Sequence, residues 1–473
     1  EMLRSLVGSE MCIRDRDIQA HLHPFTNLAD HAAVGPFVIT RGDGIHVEDE
    51  HGRRYIEGMS GLWCSSLGFS HPRLVAAGIR ALQTLPYYHT FNHRSNPAVA
   101  ELAAKLLAQA PVPMARVFFA NSGSEANDSA VKMVWYYHNA IGQPQKKKII
   151  ARQRAYHGVT VAAASLSGLV ANHQDFDLPI DRILHVECPH HYRYGQPGES
   201  ESDFATRLAE SLEQRILAEG PDTVAAFFAE PVMGAGGVIV PPETYFEKIQ
   251  AVLRKYDVLL VADEVICGFG RTGEMFGSTT FGMQPDILTC AKALTSGYMP
   301  MSAVMVSAKV HDALAANSGR IGTFGHGYTY SGHPVAAAVA LETLKVYEED
   351  DIVGQVRRAA PAFQRQLRAL AQRRSVGEAR GVGLIGAIEL VSDKAGRTPF
   401  DPALKAGATV ARLAQERGLI VRAMGDTVAL CPPLISTAEQ IDELFARLNA
   451  ALDAFEAHTA MPSSAPALQP QEA

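Results

Sequence analysis

The chain lacks the cysteine pairs that a disulfide framework or a structural zinc site requires. Its 473 residues include six cysteines, which lie far apart and form no C-x-x-C pair. In a chain of this length, that spacing indicates reduced thiols and predicts a cytoplasmic location. Long apolar runs are missing too, because stretches such as VLLVA at 258–262 are far too short to cross a bilayer. We therefore expect no membrane span.

Basic charge is also scarce. The 43 lysines and arginines are outnumbered by 50 aspartates and glutamates, and no basic run is longer than Lys146–Lys148. Proteins that bind nucleic acid usually carry a basic patch that pairs with phosphate groups. We therefore expect small molecules, and no nucleic acid, as partners.

The two ends of the chain are predicted to lie outside the fold. Residues 1–16 lack the apolar core and the cleavage site of a signal peptide, and we interpret them as a non-native or disordered leader. Residues 458–473 are rich in Pro, Ser, Ala and Gln. Such a segment buries too little apolar surface to become ordered, so we predict a disordered tail.

Three regions follow from the pattern between these ends. Residues 17–70 hold short strands separated by glycine turns and predict an antiparallel unit. In residues 71–335, apolar runs alternate with amphipathic helices, which predicts an α/β domain with a large, mostly parallel sheet. Residues 336–457 predict a small α+β domain that packs with the N-terminal unit.

Apolar runs and turn residues predict the bounds of individual strands and helices. The strands expected in the large domain are Arg116–Ala120, Lys148–Ala151, Val224–Ala229, Val258–Ala262 and Ala303–Val306. Those expected in the small domain are Phe37–Ile39, Ile45–Glu48, Arg54–Glu57, Gly383–Glu389, Ile420–Ala423 and Thr427–Leu430. The helices expected near the C-terminus are Gly354–Arg374, Pro402–Glu416 and Ala438–Phe455.

A small polar turn follows the first of the large-domain strands. Ser122, Gly123 and Ser124 lie between the strand and a predicted helix. Free N–H groups at a helix start attract anions, so these residues are candidate phosphate ligands. An ordinary helix cap completed by Glu125 explains the same residues equally well.

Two further polar residues end apolar runs. Asp263 closes VLLVAD, and Lys292 follows DILTCA. A carboxylate at a strand end could face a protonated ring nitrogen, and an amine among apolar residues loses its proton more easily and becomes a nucleophile. A turn-capping role for Asp263 is the plainer alternative. The order of turn, Asp and Lys, each after a strand, favours a shared site.

Together these segments resemble the class III pyridoxal-phosphate (PLP) aminotransferases of fold-type I, from about residue 21 to 455. The motifs that carry the resemblance are NSGSEAN, AYHG, AEPVMGAGG, VADEVICGFGRTG, DILTCAKALTSGYMP and YTYSGHPV, in the family's order and spacing. The resemblance implies a PLP-binding large domain and a transamination that proceeds in two half-reactions.

The same resemblance implies roles for individual residues. Lys292 would hold PLP as a Schiff base and shuttle a proton, and Asp263 would keep the pyridine nitrogen protonated. Tyr156 and Val265 would press on the two faces of the ring. The remaining implied cofactor contacts are His157, Glu230 and the turn Ser122, Gly123 and Ser124.

Two more implications concern assembly and substrate. Thr329 would reach the phosphate of a partner subunit, which predicts a homodimer or a tetramer made of two dimers. Trp63 and Arg422 match substrate contacts of the ω-amino acid:pyruvate branch, with Phe25 and Tyr88 in the same pocket. Relatives that use 2-oxoglutarate usually carry a glutamate where this chain has Ala235. We therefore expect pyruvate as acceptor and an ω-amino acid, amine or diamine as donor.

Several alternatives were weighed against this interpretation. A PLP-dependent mutase or decarboxylase could use the same scaffold, and a PLP-sensing regulator would need a DNA-binding segment for which residues 1–36 are too short. Two G-x-G-x-x-G matches, at 268–273 and 381–386, open no predicted helix. Cys188, His190 and His191 predict a solvated loop and no metal site. Asn127 starts a glycosylation pattern that lies on a predicted helix and is irrelevant.

Overall fold

A computed structural model describes residues 13–460, and a seven-stranded sheet forms its centre. Its strands are β4 (Arg116–Ala120), β5 (Lys148–Arg152), β6 (Ile183–Val186), β7 (Val224–Ala229), β8 (Leu259–Asp263), β9 (Ile287–Cys290) and β10 (Ser302–Val306). Their order across the sheet is β4-β10-β9-β8-β7-β5-β6. Only β10 runs antiparallel to its neighbours, so the expected mostly parallel sheet is confirmed.

Successive residues of the central strands face two different apolar clusters. In β8, Leu260 belongs to the cluster on one side of the sheet, and Val261 belongs to the cluster on the other side. Phe227 and Phe228 of β7 divide in the same way. Because both faces are covered, these strands are apolar almost throughout, as buried parallel strands usually are.

Ten α-helices lie between residues 72 and 349. They are α4 (Pro72–Thr84), α5 (Pro97–Gln109), α6 (Gly123–Ala140), α7 (Val161–Leu166), α8 (His191–Tyr194), α9 (Glu201–Glu219), α10 (Tyr245–Lys255), α11 (Gly277–Thr280), α12 (Ala308–Ile321) and α13 (Pro334–Glu349). Among all the helices described between residues 13 and 460, none is long and apolar enough to span a bilayer.

Two smaller sheets are built from the ends of the chain. The first contains β1 (Ile39–Asp43), β2 (His46–Asp49), β3 (Arg54–Glu57) and, from the C-terminal segment, β13 (Leu419–Ile420), which pairs in parallel with β3. The second is antiparallel, with β11 (Val376–Val382), β12 (Ile385–Leu390), β15 (Thr427–Leu430) and β14 (Arg422–Met424) in that order. Their helices are α1 (Ile13–Ala20), α2 (Leu28–Val34), α3 (Ser60–Trp63), α14 (Ile352–Ala369), α15 (Ala406–Glu416) and α16 (Ala438–Ala460).

Several predicted boundaries differ from the structure. The predicted strand over 420–423 is divided between two sheets, because β13 joins β3 while β14 joins β15. The predicted helix from Pro402 begins only at Ala406, because Lys405 has a left-handed backbone (φ 47°) that interrupts it. The strand expected over 37–39 lies at 39–43, and β11 was not predicted.

The predicted leader and tail overlap the fold at their inner ends. Residues 13–16 belong to α1, and residues 458–460 belong to α16. The Thr459 hydroxyl donates a hydrogen bond to the Phe455 carbonyl at 3.1 Å, which continues the last turn of α16. The rest of both predicted segments, residues 1–12 and 461–473, lies outside the described residues.

Candidate active site

Four strands of the large sheet bring their final residues to one cavity. The turn after β4, Glu230 after β7, Asp263 at the end of β8 and Lys292 after β9 lie at the same sheet edge, where parallel strands usually present ligand-binding residues. The cavity is lined by Gly123, Ser124, Asn127, Tyr156, His157, Gly158, Glu230, Asp263, Val265, Ile266 and Lys292. Three separate sequence signals therefore meet in one place.

Asp263 is buried and its carboxylate is held by three donors. Asn127 Nδ2 donates to Oδ2 at 2.7 Å, and the Val265 N–H donates to Oδ1 at 3.0 Å. His157 Nδ1 lies 2.7 Å from Oδ2. The opposite ring nitrogen, His157 Nε2, is buried without a partner among the described residues. A buried carboxylate so fixed is suited to face a cationic ring nitrogen.

Asn127 is the residue of this group that sequence reasoning missed. Its amide also donates to the His157 carbonyl at 2.7 Å and accepts from Thr289 Oγ1 at 2.8 Å. The side chain thus joins α6 to the ends of β8 and β9. No sequence signal indicated this role, because only the packing of α6 on the sheet brings Asn127 to Asp263.

Lys292 lies half-buried in the cavity. Its backbone is left-handed (φ 50°), a conformation that is strained for a residue with a side chain and is typical of functional sites. Burial lowers the pKa of its amine from the ordinary value. The direction of that shift increases the share of neutral amine, which is the form that attacks a carbonyl.

The polar turn is both a helix cap and part of the cavity wall. Ser122 Oγ accepts from the Glu125 N–H at 3.2 Å, and Glu125 Oε2 accepts from the Asn121 N–H at 2.7 Å. Ser122 is exposed, whereas Gly123 and Ser124 line the cavity. The structure therefore contains the helix cap that was the alternative interpretation, and it places the same helix start against the cavity.

Glu230 connects the two loops that border the cavity. Its carboxylate accepts the Tyr156 N–H and the Gly234 N–H, both at 3.0 Å. Burial raises the pKa of this carboxyl. Tyr156 and Val265 both line the cavity, and a Cβ placed on Gly123 would lie 3.0 Å from the Val265 side chain. Gly123 therefore lies close to the Val265 side chain, and a larger residue there would press on it.

Trp63 lies close to two basic side chains. Lys292 Nζ is 5.4 Å from the centre of its ring, and Arg422 Cζ is 4.9 Å from it. Both distances are within the range of cation–π attraction. Ala235 packs on the apolar cluster that contains Trp63. The structure thus connects two predicted substrate contacts, Trp63 and Arg422, with the predicted cofactor lysine.

The remaining predicted contacts are more peripheral. The Phe25 ring lies 6.3 Å from the Tyr156 ring in an edge-to-face arrangement, so it borders the cavity. Tyr88 is exposed and stacks on His89, and Thr329 is exposed, with its carbonyl accepting from the Tyr87 hydroxyl at 2.9 Å. Neither lines the cavity of its own chain.

One predicted loop differs from expectation. Cys188 and His190 are buried, so the interpretation as a solvated loop was wrong. His190 packs against β11, with Nε2 at 2.8 Å from Glu378 Oε2. The G-x-G-x-x-G match at 381–386 spans the hairpin between β11 and β12 and opens no helix.

The cavity fits pyridoxal phosphate. It offers an amine for the aldehyde, a fixed carboxylate for the pyridine nitrogen, a helix start for the phosphate, and His157 Nε2 as an unpaired buried polar atom beside the ring site. With the α/β sheet, these features define a fold-type I PLP-dependent transferase.

The comparisons with known proteins specify the family. The model of the family described as Aminotransferase class-III matches residues 28–452, and the chain belongs to that family. It is therefore an enzyme, a PLP-dependent aminotransferase. Gamma aminobutyrate transaminase 1, mitochondrial, of Solanum lycopersicum is 53% identical over 424 residues, which are 89% of this chain and 82% of that protein.

Solved structures agree with this assignment. The omega transaminase from Pseudomonas jessenii in complex with PMP is 54% identical, with a TM-score of 0.94 over 95% of this chain and 99% of that chain. The PMP-bound aminotransferase from Vibrio fluvialis is 44% identical, with a TM-score of 0.93 over 96% and 100% of the two chains.

Proposed function

We propose that the enzyme moves an amino group from an ω-amino acid, amine or diamine to pyruvate. The observation that carries this proposal is the position of Arg422. Its guanidinium stacks on Trp63 at the cavity, and no acidic side chain within residues 13–460 pairs with it. A free guanidinium can bind a substrate carboxylate through two parallel hydrogen bonds.

Ala235 supports the choice of acceptor. A glutamate at this position would add a carboxylate near Trp63, where it could pair with Arg422 and occupy it. Alanine leaves the guanidinium available for a short keto acid. The apolar surroundings of Trp63, with Phe25 beside Tyr156 at the border of the cavity, also provide room for an amine that lacks a carboxylate.

We propose the following roles for the residues around the cofactor. Bound PLP would act as an electron sink that stabilises negative charge on the substrate carbon. Lys292 would hold the cofactor through Nζ and, once displaced, would carry a proton at that nitrogen. Asp263 would hold a proton on the ring nitrogen through its carboxylate. Tyr156 and Val265 would confine the two faces of the ring.

The other proposed cofactor contacts surround this group. Ser122, Gly123 and Ser124 would bind the phosphate through the N-terminus of α6, where the helix dipole favours an anion. His157 would lie beside the ring, and Glu230 would fix the backbone of Tyr156. His157 and Glu230 are buried, so they would keep water from this edge of the cofactor.

We also propose a homodimer with shared sites, which either remains a dimer or pairs into a tetramer. Thr329 is exposed and does not line the cavity of its own chain, so it is available to a second copy. A hybrid dimer made from Lys292→Ala and Thr329→Ala chains tests this. It should contain one fully wild-type site and bind PLP there as tightly as the wild type. If both sites bind PLP more weakly than the wild type does, the ligands are not shared.

The names of relatives support an ω-amino donor without specifying it. Plant relatives are named gamma aminobutyrate transaminases, and the similar solved structures include omega transaminases. The cytoplasmic location stays a prediction, since the plant relatives are named as mitochondrial or chloroplastic proteins.

Half-reactions with pyruvate and 2-oxoglutarate test the acceptor. The pyridoxamine form of the enzyme should react much faster with pyruvate. Arg422→Leu should raise the KM for pyruvate about 10- to 100-fold, which corresponds to losing a hydrogen bond to a charged group. The same variant should react almost normally with a donor amine that has no carboxylate. Equal or faster reaction of the wild type with 2-oxoglutarate would overturn the proposed acceptor.

A further inference from the structure

Four side chains near the N-terminus converge on one point between α1 and α2. Asp17 Oδ1 lies 2.6 Å from His23 Nε2 and 3.2 Å from His31 Nε2, and Asp17 Oδ2 lies 3.4 Å from His21 Nδ1. The rings of His21 and His23 are 4.2 Å apart, and those of His23 and His31 are 4.0 Å apart. The three rings therefore pack together and direct a nitrogen toward the same carboxylate.

The distances from the Asp17 carboxylate to the imidazoles resemble those between ligands of one metal ion. The ligand atoms of Asp17, His21 and His23 also lie within 4.8 Å of one another, and His31 is the fourth group on the same carboxylate. Two ligand atoms at about 2.0–2.1 Å from a tetrahedral zinc ion lie about 3.3 Å from each other. The distances from the Asp17 carboxylate to His21 and His31 already have this size. His23 is closer, at 2.6 Å, and needs to move by less than 1 Å to admit an ion.

The positions of these four residues along the chain support a compact site. Asp17 and His21 are four residues apart at the end of α1, so they share one helix face, as paired ligands on metal-binding helices do. His23 lies in the turn and His31 in α2. All four residues follow the predicted leader.

We propose that Asp17, His21, His23 and His31 form a binding site for a divalent transition-metal ion such as Zn²⁺. Three imidazole nitrogens and one carboxylate oxygen are a donor set that zinc, nickel and copper accept, whereas calcium and magnesium prefer oxygen ligands throughout. This site lies outside the cluster around Cys188 from which the sequence predicted no metal.

The described residues contain another cluster of a histidine and two carboxylates, which differs from the Asp17 cluster in the groups that surround its carboxylates. His190 also faces two carboxylates, those of Glu378 and Glu389. There, however, Arg380 bonds to both carboxylates and Arg193 bonds to Glu389. Guanidinium groups already neutralise those carboxylates, so we expect no metal ion to bind there. At Asp17, the groups gathered around the carboxylate are imidazoles, which can act as metal ligands.

The proposed ion would connect α1 to α2 beside the active-site opening. Phe25 is two residues after His23, has a left-handed backbone (φ 48°), and borders Tyr156. An ion that fixes His23 would therefore also restrict the position of Phe25. The metal site stands independently of the proposed amino acceptor.

Calorimetric titration with ZnCl₂ tests the proposal on the PLP-loaded, full-length enzyme after treatment with EDTA. We expect one ion bound per chain with a reproducible dissociation constant. The double variant His23→Ala, His31→Ala should bind about tenfold more weakly or worse, because two of the four ligands are lost. Asp17→Asn should weaken binding as well, because the amide carries no charge.

His51→Ala is the matched control. His51 is exposed near the Glu50 carboxylate, 3.9 Å away, and its loss should leave zinc binding unchanged. Unchanged cofactor absorbance and thermal unfolding show that each variant is folded. The proposal is overturned if the wild type binds no zinc, or if the double variant binds it as tightly as the wild type does.

Discussion

Replacing Asn127 tests whether the charge of Asp263, and not only the packing around it, sustains activity. Asn127→Ala removes one donor to Asp263 and leaves Thr289 Oγ1 and the His157 carbonyl without their partner. Each unpaired buried group costs about 1–3 kcal/mol. We expect lower thermal stability, weaker PLP binding, and a kcat about tenfold lower.

Asn127→Asp separates charge from packing. It preserves the size of the side chain but places a second carboxylate 2.7 Å from Asp263 Oδ2. At an effective dielectric constant of about 20, two charges at that distance repel by about 6 kcal/mol. The pair should therefore keep one proton at neutral pH and offer less charge to the ring nitrogen. We expect a kcat about 100-fold or more below the wild type.

The assay is a single half-reaction with an amine donor, followed by the loss of the visible cofactor band at saturating PLP. Asp128→Asn is the control, because Asp128 is the next residue and accepts from Thr160 Oγ1 at 2.9 Å, which an amide oxygen can also do. Its rate should stay within about twofold of the wild type. The reasoning is refuted if Asn127→Asp reacts as fast as Asn127→Ala or faster.

Two further predictions concern the cavity wall and the loop that carries Trp63. Gly158→Ala should weaken PLP binding and cost about 2–4 kcal/mol of stability. The reason is that Gly158 has φ 131° and a Cβ there would lie 2.5 Å from Ser124 Oγ. Unfolding and PLP titration curves of the variant that match those of the wild type would contradict this. Glu57 is buried, accepts from the N–H groups of Met59 and Gly61, and has its pKa raised by burial from 4.5 to about 8. Because the folded state then binds more protons than the unfolded state, Glu57 contributes stability that is lost as pH rises from about 4.5 through 8. The melting temperature should fall less over that pH range in Glu57→Gln than in the wild type. Glu243→Gln is the control, because Glu243 is exposed. Equal falls in the melting temperatures of Glu57→Gln and the wild type would show that Glu57 is not responsible.

Much of the fold is readable from local patterns. The strands Arg116–Ala120 and Val224–Ala229 were predicted with the bounds that the structure shows, because both are apolar runs bounded by clear changes of composition. The strand β11 was missed, since VGEARGV alternates too little to resemble a strand and is stabilised by pairing with β12. Local pattern predicts a strand only where burial, and not pairing alone, determines the sequence.

The candidate site also contains some residues that could be predicted from the sequence and others that could not. Asp263 and Lys292 could be selected from the sequence because polar residues at the ends of apolar runs are conspicuous. Asn127 and the cluster of Asp17 with three histidines could not, because tertiary packing or a helix–turn–helix connection brings their partners together. Cys188 and His190 were misjudged for a related reason, since a polar stretch looks solvated until a distant segment, here β11, packs against it.

The central claim is that Lys292 holds pyridoxal phosphate in a site whose ring nitrogen faces Asp263. Reduction of the PLP-loaded enzyme with sodium borohydride, followed by peptide mapping by mass spectrometry, tests it directly. We predict one pyridoxyl group per chain, attached to Lys292, and none in the Lys292→Ala variant. A pyridoxyl group on another lysine, or equal labelling of the variant, would contradict the claim.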